Sequence, residues 1–199
     1  MKVQSPREKR RARTREAILE AAMQVVRQKG VEALSIREIV GRIDYSPSGL
    51  YEYFSSKEEI IQELVDEGFA RLTARLEHGI HGETALSRLQ EAGKVYMHFA
   101  LQEPQLYVMM FNHRPLAPCP LTEVEQNTAY SRLVQILQDG LLSGEFRSAS
   151  GAGWQELAYA TWSLMHGLSM LRLTLMSQVT DDIDSLHERA FQAFVEQLK

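Results

Sequence analysis

Cysteine is nearly missing from this chain: Cys119 is the single one in 199 residues, which excludes an intrachain disulfide framework and a multi-cysteine zinc site. Long apolar runs are missing as well. None approaches the roughly 18 residues of a membrane span, and the basic start from Lys2 to Arg15 leads into an amphipathic pattern instead of the unbroken apolar stretch of a signal peptide. The expectation is a soluble, unprocessed, cytoplasmic protein with no membrane partner. Overall positive charge is also lacking: 22 Lys and Arg stand against 26 Asp and Glu, a formal net charge of -4, which argues against a polycation that coats nucleic acid. No nucleophile motif, glycine-rich phosphate cradle or paired ligand spacing arranges the Ser, His and acidic residues for catalysis, so an enzyme is the disfavoured class. His113 and Cys119 flank a proline-rich stretch, and two donors do not close a metal site, so neither metal nor cofactor is expected.

What is present is apolar periodicity and an uneven charge distribution. Hydrophobic residues make up 44% of the chain, enough for a sizeable core. Residues 1 to 60 hold 12 basic groups against 9 acids, and the first fifteen alone carry seven bases and one acid, so the remainder is strongly acidic. Ile18, Ala21, Ala22, Val25 and Val26 recur at helical spacing over 14–29, and Gly30 is a natural stop. Ser35 with Glu38 has capping-box spacing before a short helix ending near Gly41 to Asp44. Ser46 then suits an N-cap and Pro47 the first helical position, predicting a third short helix to about Phe54. Ser56 with Glu59 opens a longer helix to about His78.

Further helical patterns cover about 84–102 and 105–112, followed by a break at Pro115, Pro118 and Pro120. Thr122 with Glu125 opens another helix to about Leu142, a Gly- and Ser-rich connection follows, and two helices are expected at about 154–176 and 182–198. With no strand alternation, low-complexity tract or internal repeat, the fold class is all-α. The expected organisation is a flexible basic arm at 1–12, a helix-turn-helix domain at 13–57, and a sensing and dimerisation domain at 58–199.

Two short helices joined tightly after a supporting helix can put one helix end into a major groove, and Lys2, Arg7, Lys9, Arg10, Arg11, Arg13 and Arg15 can neutralise phosphates. The succession TREAILEAAMQVVRQKG, LSIREI and SPSGLYEYFSSKEEI within residues 14 to 61 resembles the N-terminal domain of the tetracycline-repressor family of bacterial regulators. The resemblance implies that the third helix reads bases through Ser46, Pro47, Ser48, Gly49, Tyr51 and Tyr53. It also implies that Ser35 and Arg37 contribute from the second helix, that Lys57 holds a phosphate, and that Leu50 and Phe54 face inward. The turn Gly41-Arg42-Ile43-Asp44-Tyr45 departs from the family's usual small residues. Tyr45 is retained as a DNA candidate, and Asp44 is expected to bond locally to amides in the turn.

The resemblance further implies a homodimer that binds palindromic double-stranded operator DNA and releases it when a small-molecule effector binds. An activator or a ligand-insensitive regulator is the alternative within that class, and a helical interaction protein without DNA recognition lies outside it. The segment WSLMHG, with Trp162, His166 and Gly167, resembles a subgroup of the family with a tryptophan four residues before a His-Gly pair. Tyr96, Met110, Phe111, Trp162 and His166 are the candidate effector contacts, with ordinary core packing as the competing reading. Residues 154–176 contain only Glu156 and Arg172 as charges, so this segment and the last helix are the candidate dimer interface. Leu168, Leu171, Leu175, Phe191, Phe194 and Leu198 are the contacts, with intrachain packing again the alternative.

Overall fold

A computed structural model describes residues 5–113, 128–148 and 151–198, with Thr128 described by its backbone alone. The expected proline break at Pro115, Pro118 and Pro120, the Thr122–Glu125 box, Cys119 and Lys2 lie outside those residues. Among the described residues all regular structure is helical: α1 (Pro6–Lys29), a single 3-10 turn (Val31–Ala33), α2 (Ile36–Val40), α3 (Pro47–Leu50), α4 (Lys57–Gly79), α5 (Ala85–Gln102), α6 (Pro104–Asn112), α7 (Thr128–Ser143), α8 (Trp154–Leu173) and α9 (Ile183–Glu196).

The chain divides into two compact units. The first takes residues up to 68 together with 105–113, so it contains α1 to α3, the start of α4 and nearly all of α6. The division differs from the expected boundary at 57/58, because Ile60, Ile61, Leu64 and Val65 of α4 are buried and belong with the first unit's core. There, Ile18, Ala22, Val25 and Val26 of α1 are fully covered, as are Leu34, Ile39, Leu50 and Phe54. The inward direction expected of Leu50 and Phe54 is what the molecule has.

A second difference lies at the N-terminus. Residues 6–12 are not a flexible arm but the opening turns of α1, capped by a reciprocal pair in which the Ser5 hydroxyl accepts from the Glu8 amide and the Glu8 carboxylate accepts from the Ser5 amide. Pro6 at the first helical position completes this start. α1 stops at Gly30, whose φ of 79° is open to glycine without a side-chain clash.

The second unit contains the end of α4, then α5, α7, α8 and α9, with α5 packed on α7, α8 and α9. Its covered side chains include Leu89, Phe99, Leu137, Phe146, Ala158, Met165, Phe191 and Val195. Phe191 settles against Gly93 of α5, where a side-chain carbon would overlap the ring.

Candidate nucleic-acid interface

The start of α3 is built by its own side chains. Ser46, in extended backbone, accepts the Gly49 amide at 3.1 Å, and its hydroxyl lies 3.0 Å from that of Ser48. Ser46, Pro47 and Ser48 are exposed, while Leu50 and Phe54 anchor the segment from beneath. Gly49 sits under the Tyr45 ring: a side-chain carbon there would lie 3.1 Å from Tyr45 Cδ1. α2 starts in the same manner, with Ser35 accepting the Glu38 amide at 3.2 Å and Glu38 paired with Lys29 at 2.7 Å. Arg37 points to solvent from this helix. Lys57, half-buried, begins α4.

Three tyrosines and an arginine flank the exposed helix start. Tyr51 is 54% exposed, Tyr45 is 39% exposed, and Tyr45 and Tyr53 meet edge-to-face with ring centres 6.0 Å apart and hydroxyls 3.3 Å apart. The Arg11 guanidinium lies 5.2 Å from the Tyr53 ring centre and donates to the Glu52 carbonyl at 2.9 Å. Arg11 thereby ties the basic end of α1 to the segment after α3, a link that reading the arm as a row of phosphate contacts misses. Arg15 is also diverted: it lies over the Phe54 ring and forms a fork onto both Glu63 oxygens at 2.6 and 2.7 Å. Hydrogen bonding to Arg15 holds the Glu63 carboxyl below its ordinary range, and Arg15 is correspondingly raised. Arg15 is therefore an intrachain clamp, leaving Arg7, Lys9, Arg10 and Arg13 as exposed cations on α1. Asp44 is exposed and makes no hydrogen bond among the described residues, which corrects the local bond expected of it.

In the second unit, Tyr96 is almost fully covered and joins two residues of α8. Trp162 Nε1 donates to the Tyr96 hydroxyl oxygen at 3.3 Å, and that hydroxyl lies 3.3 Å from His166 Nδ1. The hydroxyl thus bridges the indole and the imidazole, and the direction of its bond to Nδ1 follows the histidine tautomer. Burial pushes the His166 pKa down and favours the neutral ring. Tyr130 packs edge-on against Trp162 at 5.4 Å.

Two family models match this chain, one for the tetracycline-repressor N-terminal region at residues 18–64 and one for the tetracycline-repressor-like C-terminal domain at 89–194. The chain belongs to the tetracycline-repressor family. It is thus a transcriptional regulator of a family whose members bind operator DNA and dimerise, with small-molecule effectors. Among its relatives is an HTH-type transcriptional regulator, YfiR, of Bacillus subtilis strain 168, 29% identical over 65% of this chain and 66% of that protein. The chain spans about two thirds of the length of the first curated relatives it matches, from 66 to 69%. A protein of unknown function from Rhodococcus sp. RHA1 shares the fold with a TM-score of 0.79 at 23% identity, over 92% of this chain and 94% of that one. The regulator FadR of Bacillus subtilis, solved with stearoyl-CoA, has a TM-score of 0.71 at 19% identity, over 92% and 99%.

Within this tetracycline-repressor frame, the expected site residues are distributed over both units. Met110 and Phe111 belong to the first unit, and Tyr96, Trp162 and His166 to the second. Met110 is fully buried against Gly68, where a side-chain carbon would stand 2.7 Å from its sulfur, and Phe111 packs on Tyr107. Among the expected dimer contacts, Phe191 and Leu198 are covered within the protomer and Leu168 nearly so, while Phe194 is half-buried and Leu171 and Leu175 are exposed. The strongly apolar stripe of α9 is used up by intrachain packing. The uncovered faces carry Tyr159, Ala160, Ser163 and Leu171 on α8, and Leu186, Ala190 and Ala193 on α9. Gly167 lies on the same α8 face, and a side-chain carbon there would meet nothing within 4 Å. No helix of the described residues is long and apolar enough to cross a membrane, and no cluster of metal-ligating side chains occurs among them.

Proposed function

We propose that this regulator is a homodimeric repressor that holds a palindromic operator through the exposed start of α3 and releases it when a small molecule occupies the second unit. The observation that carries the reading is the solvent-facing Ser46–Ser48 segment, fixed by its own cap and by buried Leu50 and Phe54. A helix start so held offers the Ser48 amide and short side chains that admit close approach to a groove. Ser48, Tyr51 and Arg37 then face base edges, with Ser46, Pro47, Gly49, Tyr45 and Tyr53 shaping the contact surface and Ser35 capping α2. Arg7, Lys9, Arg10, Arg13 and Lys57 meet phosphates, which add affinity but little sequence information.

The dimer joins α8 and α9 to their counterparts in a four-helix bundle through the Tyr159, Ser163, Gly167 and Leu171 face and the Leu186, Ala190 and Ala193 face. Helix glycine costs about 1 kcal/mol relative to alanine, and Gly167 has no neighbour in the protomer to justify that cost. Close approach of a partner helix supplies a reason. The effector contacts are Tyr96, Trp162 and His166, where a neutral imidazole and a tyrosine hydroxyl sit among aromatic rings. An effector shifts the molecule only by binding the operator-free conformation more tightly than the operator-bound one.

Selection of bound fragments from the native genome, followed by transcription with purified protein on the selected promoter, tests this reading. Repression requires inhibition from a promoter-overlapping site, relieved by a metabolite that protects Trp162 fluorescence from quenching. Stimulation from an upstream site contradicts repression, and absence of sequence-selective binding contradicts the operator role altogether.

A further inference from the structure

The second unit contains a cleft that neither the operator surface nor the Tyr96 cluster uses. It runs between α5 and α9 beside the end of α8, has a volume of about 200 Å³, and has Met97 and Leu101 on its apolar side. A recess of about 160 Å³ continues it past Lys94 and Glu188. On α9 the cleft takes Asp184, His187 and Glu188, whereas the exposed Leu186, Ala190 and Ala193 lie on the other side of the helix. A dimer formed through that outer face leaves the cleft open.

The charges around it fall into a pair bonded to each other and a pair of exposed ones bonded to no side chain among the described residues. Arg172 donates to Asp184 at 2.6 Å, so those two neutralise each other. Lys94 and Glu188 both line the cleft, and neither forms an ion pair or hydrogen bond among the described residues. Glu91, the acid nearest Lys94 in the chain, accepts the amides of His81 and Gly82 and meets the Lys94 charge only through space. His187 is only 9% exposed, yet its ring nitrogens find no hydrogen-bond partner among the described residues, and it lines the cleft. Its ring nitrogens are not among the buried polar atoms that lack a partner, so they open onto the cleft and are available to an occupant there. Burial pushes the His187 pKa down, with Asp184 opposing and Arg172 assisting, so the ring offers one donor and one acceptor at neutral pH.

We propose that this cleft binds a small zwitterion of the free α-amino acid class, its carboxylate on Lys94 and His187, its ammonium on Glu188, and its side chain against Met97 and Leu101. A plain anion would face Glu188 without compensation, and a plain cation would face Lys94. The volume lies below the roughly 300–1,000 Å³ of pockets for drug-sized ligands, which restricts the occupant to a small one. This binding site stands independently of the operator reading, since it requires neither DNA nor a partner subunit.

Calorimetric titration of the full chain with each of the twenty standard amino acids tests the assignment. Saturable binding of at least one is expected, with its des-amino acid and its decarboxylated amine each weaker by about tenfold or more. Lys94→Met and Glu188→Gln each remove one charge-assisted bond from an exposed position, so each should weaken binding by at least about tenfold. Unchanged circular dichroism and unchanged operator binding by the same variants certify their fold. The inference is overturned if no amino acid binds saturably, if the single-charge analogues bind as well, or if neither substitution matters. Retained operator binding in any of those cases leaves the regulator reading intact.

Discussion

Replacing Gly93 with alanine tests whether Phe191 is core or interface. In an open helix interior this change stabilises by about 1 kcal/mol. Here the added carbon would overlap Phe191 Cε1 and stand 2.6 Å from Cδ1 and Cζ, and the ring is 2% exposed, so it has nowhere to retreat. Overpacking a filled core costs about 1–3 kcal/mol, and a direct overlap with a buried ring belongs at the upper end. The net expectation for Gly93→Ala is a loss of about 2 kcal/mol once the propensity gain is subtracted. Phe191→Leu removes the overlapping Cε1 and Cζ atoms, so in that background Gly93→Ala should cost at least about 1 kcal/mol less, a coupling expected only of residues in contact. Urea unfolding of the four proteins, at one fixed protein concentration because dimerisation contributes to apparent stability, gives the cycle. Stabilisation of the native chain by Gly93→Ala, or equal effects in both backgrounds, refutes the packing and returns Phe191 to the list of dimer contacts.

Leu171→Glu places a charge on the face assigned to the partner subunit, and an uncompensated buried charge costs about 3–5 kcal/mol. Sedimentation equilibrium should show dimerisation weakened by on the order of a hundredfold or more, with helix content unchanged; an unaffected dimer contradicts the α8 and α9 assignment. Replacing Arg10 and Arg13 together with glutamine removes two charges from each protomer, so for the dimer it should reduce the slope of log affinity against log salt by about 3 to 4, on operator and scrambled DNA alike. Tyr51→Ala should instead erode the operator-to-scrambled ratio by about 1–3 kcal/mol, and equal losses on both DNAs would contradict a reading role. Burial depresses the folded pKa of both His166 and His187. Their stabilising contribution is complete above the unfolded value of about 6.5 and is lost as pH falls through the folded values, because the unfolded chain then binds protons the native one refuses. Unfolding free energies between about pH 7 and 5 should decline with falling pH, and His166→Gln should flatten the decline; an unchanged slope refutes the burial argument.

Local chemistry explains why most of the fold was legible in the sequence. Ser35, Ser46 and Ser56 cap their helices at the spacings that the sequence displays, because a cap involves residues only three apart. The same kind of signal at Ser5, Pro6 and Glu8 marks the true start of α1, but apolar periodicity begins only at Ile18, so the period alone puts the start near Thr14. Faces are less legible than boundaries. On α9 the largest apolar residues turn to the protomer's own core, leaving Leu186, Ala190 and Ala193 outside, and helical spacing alone does not say which stripe meets which neighbour. The chemistry of Met110 suits a pocket or a core alike, and its burial against Gly68 depends on a contact distant in the chain. Arg11 on Tyr53, Arg15 on Glu63, and the cleft joining Lys94 to His187 all bring together residues far apart in the chain, and no local pattern encodes them.

The decisive measurement is photo-crosslinking of DNA to a single cysteine placed in α3. Ser48→Cys in a Cys119→Ser background, labelled with a short photoactivatable group and mixed with a selected operator, should crosslink to bases in the major groove of each half-site. Cysteine at exposed Leu142, labelled likewise, should give no crosslink. Bases reached from position 142 but not from position 48 would place the DNA on another surface and contradict the account.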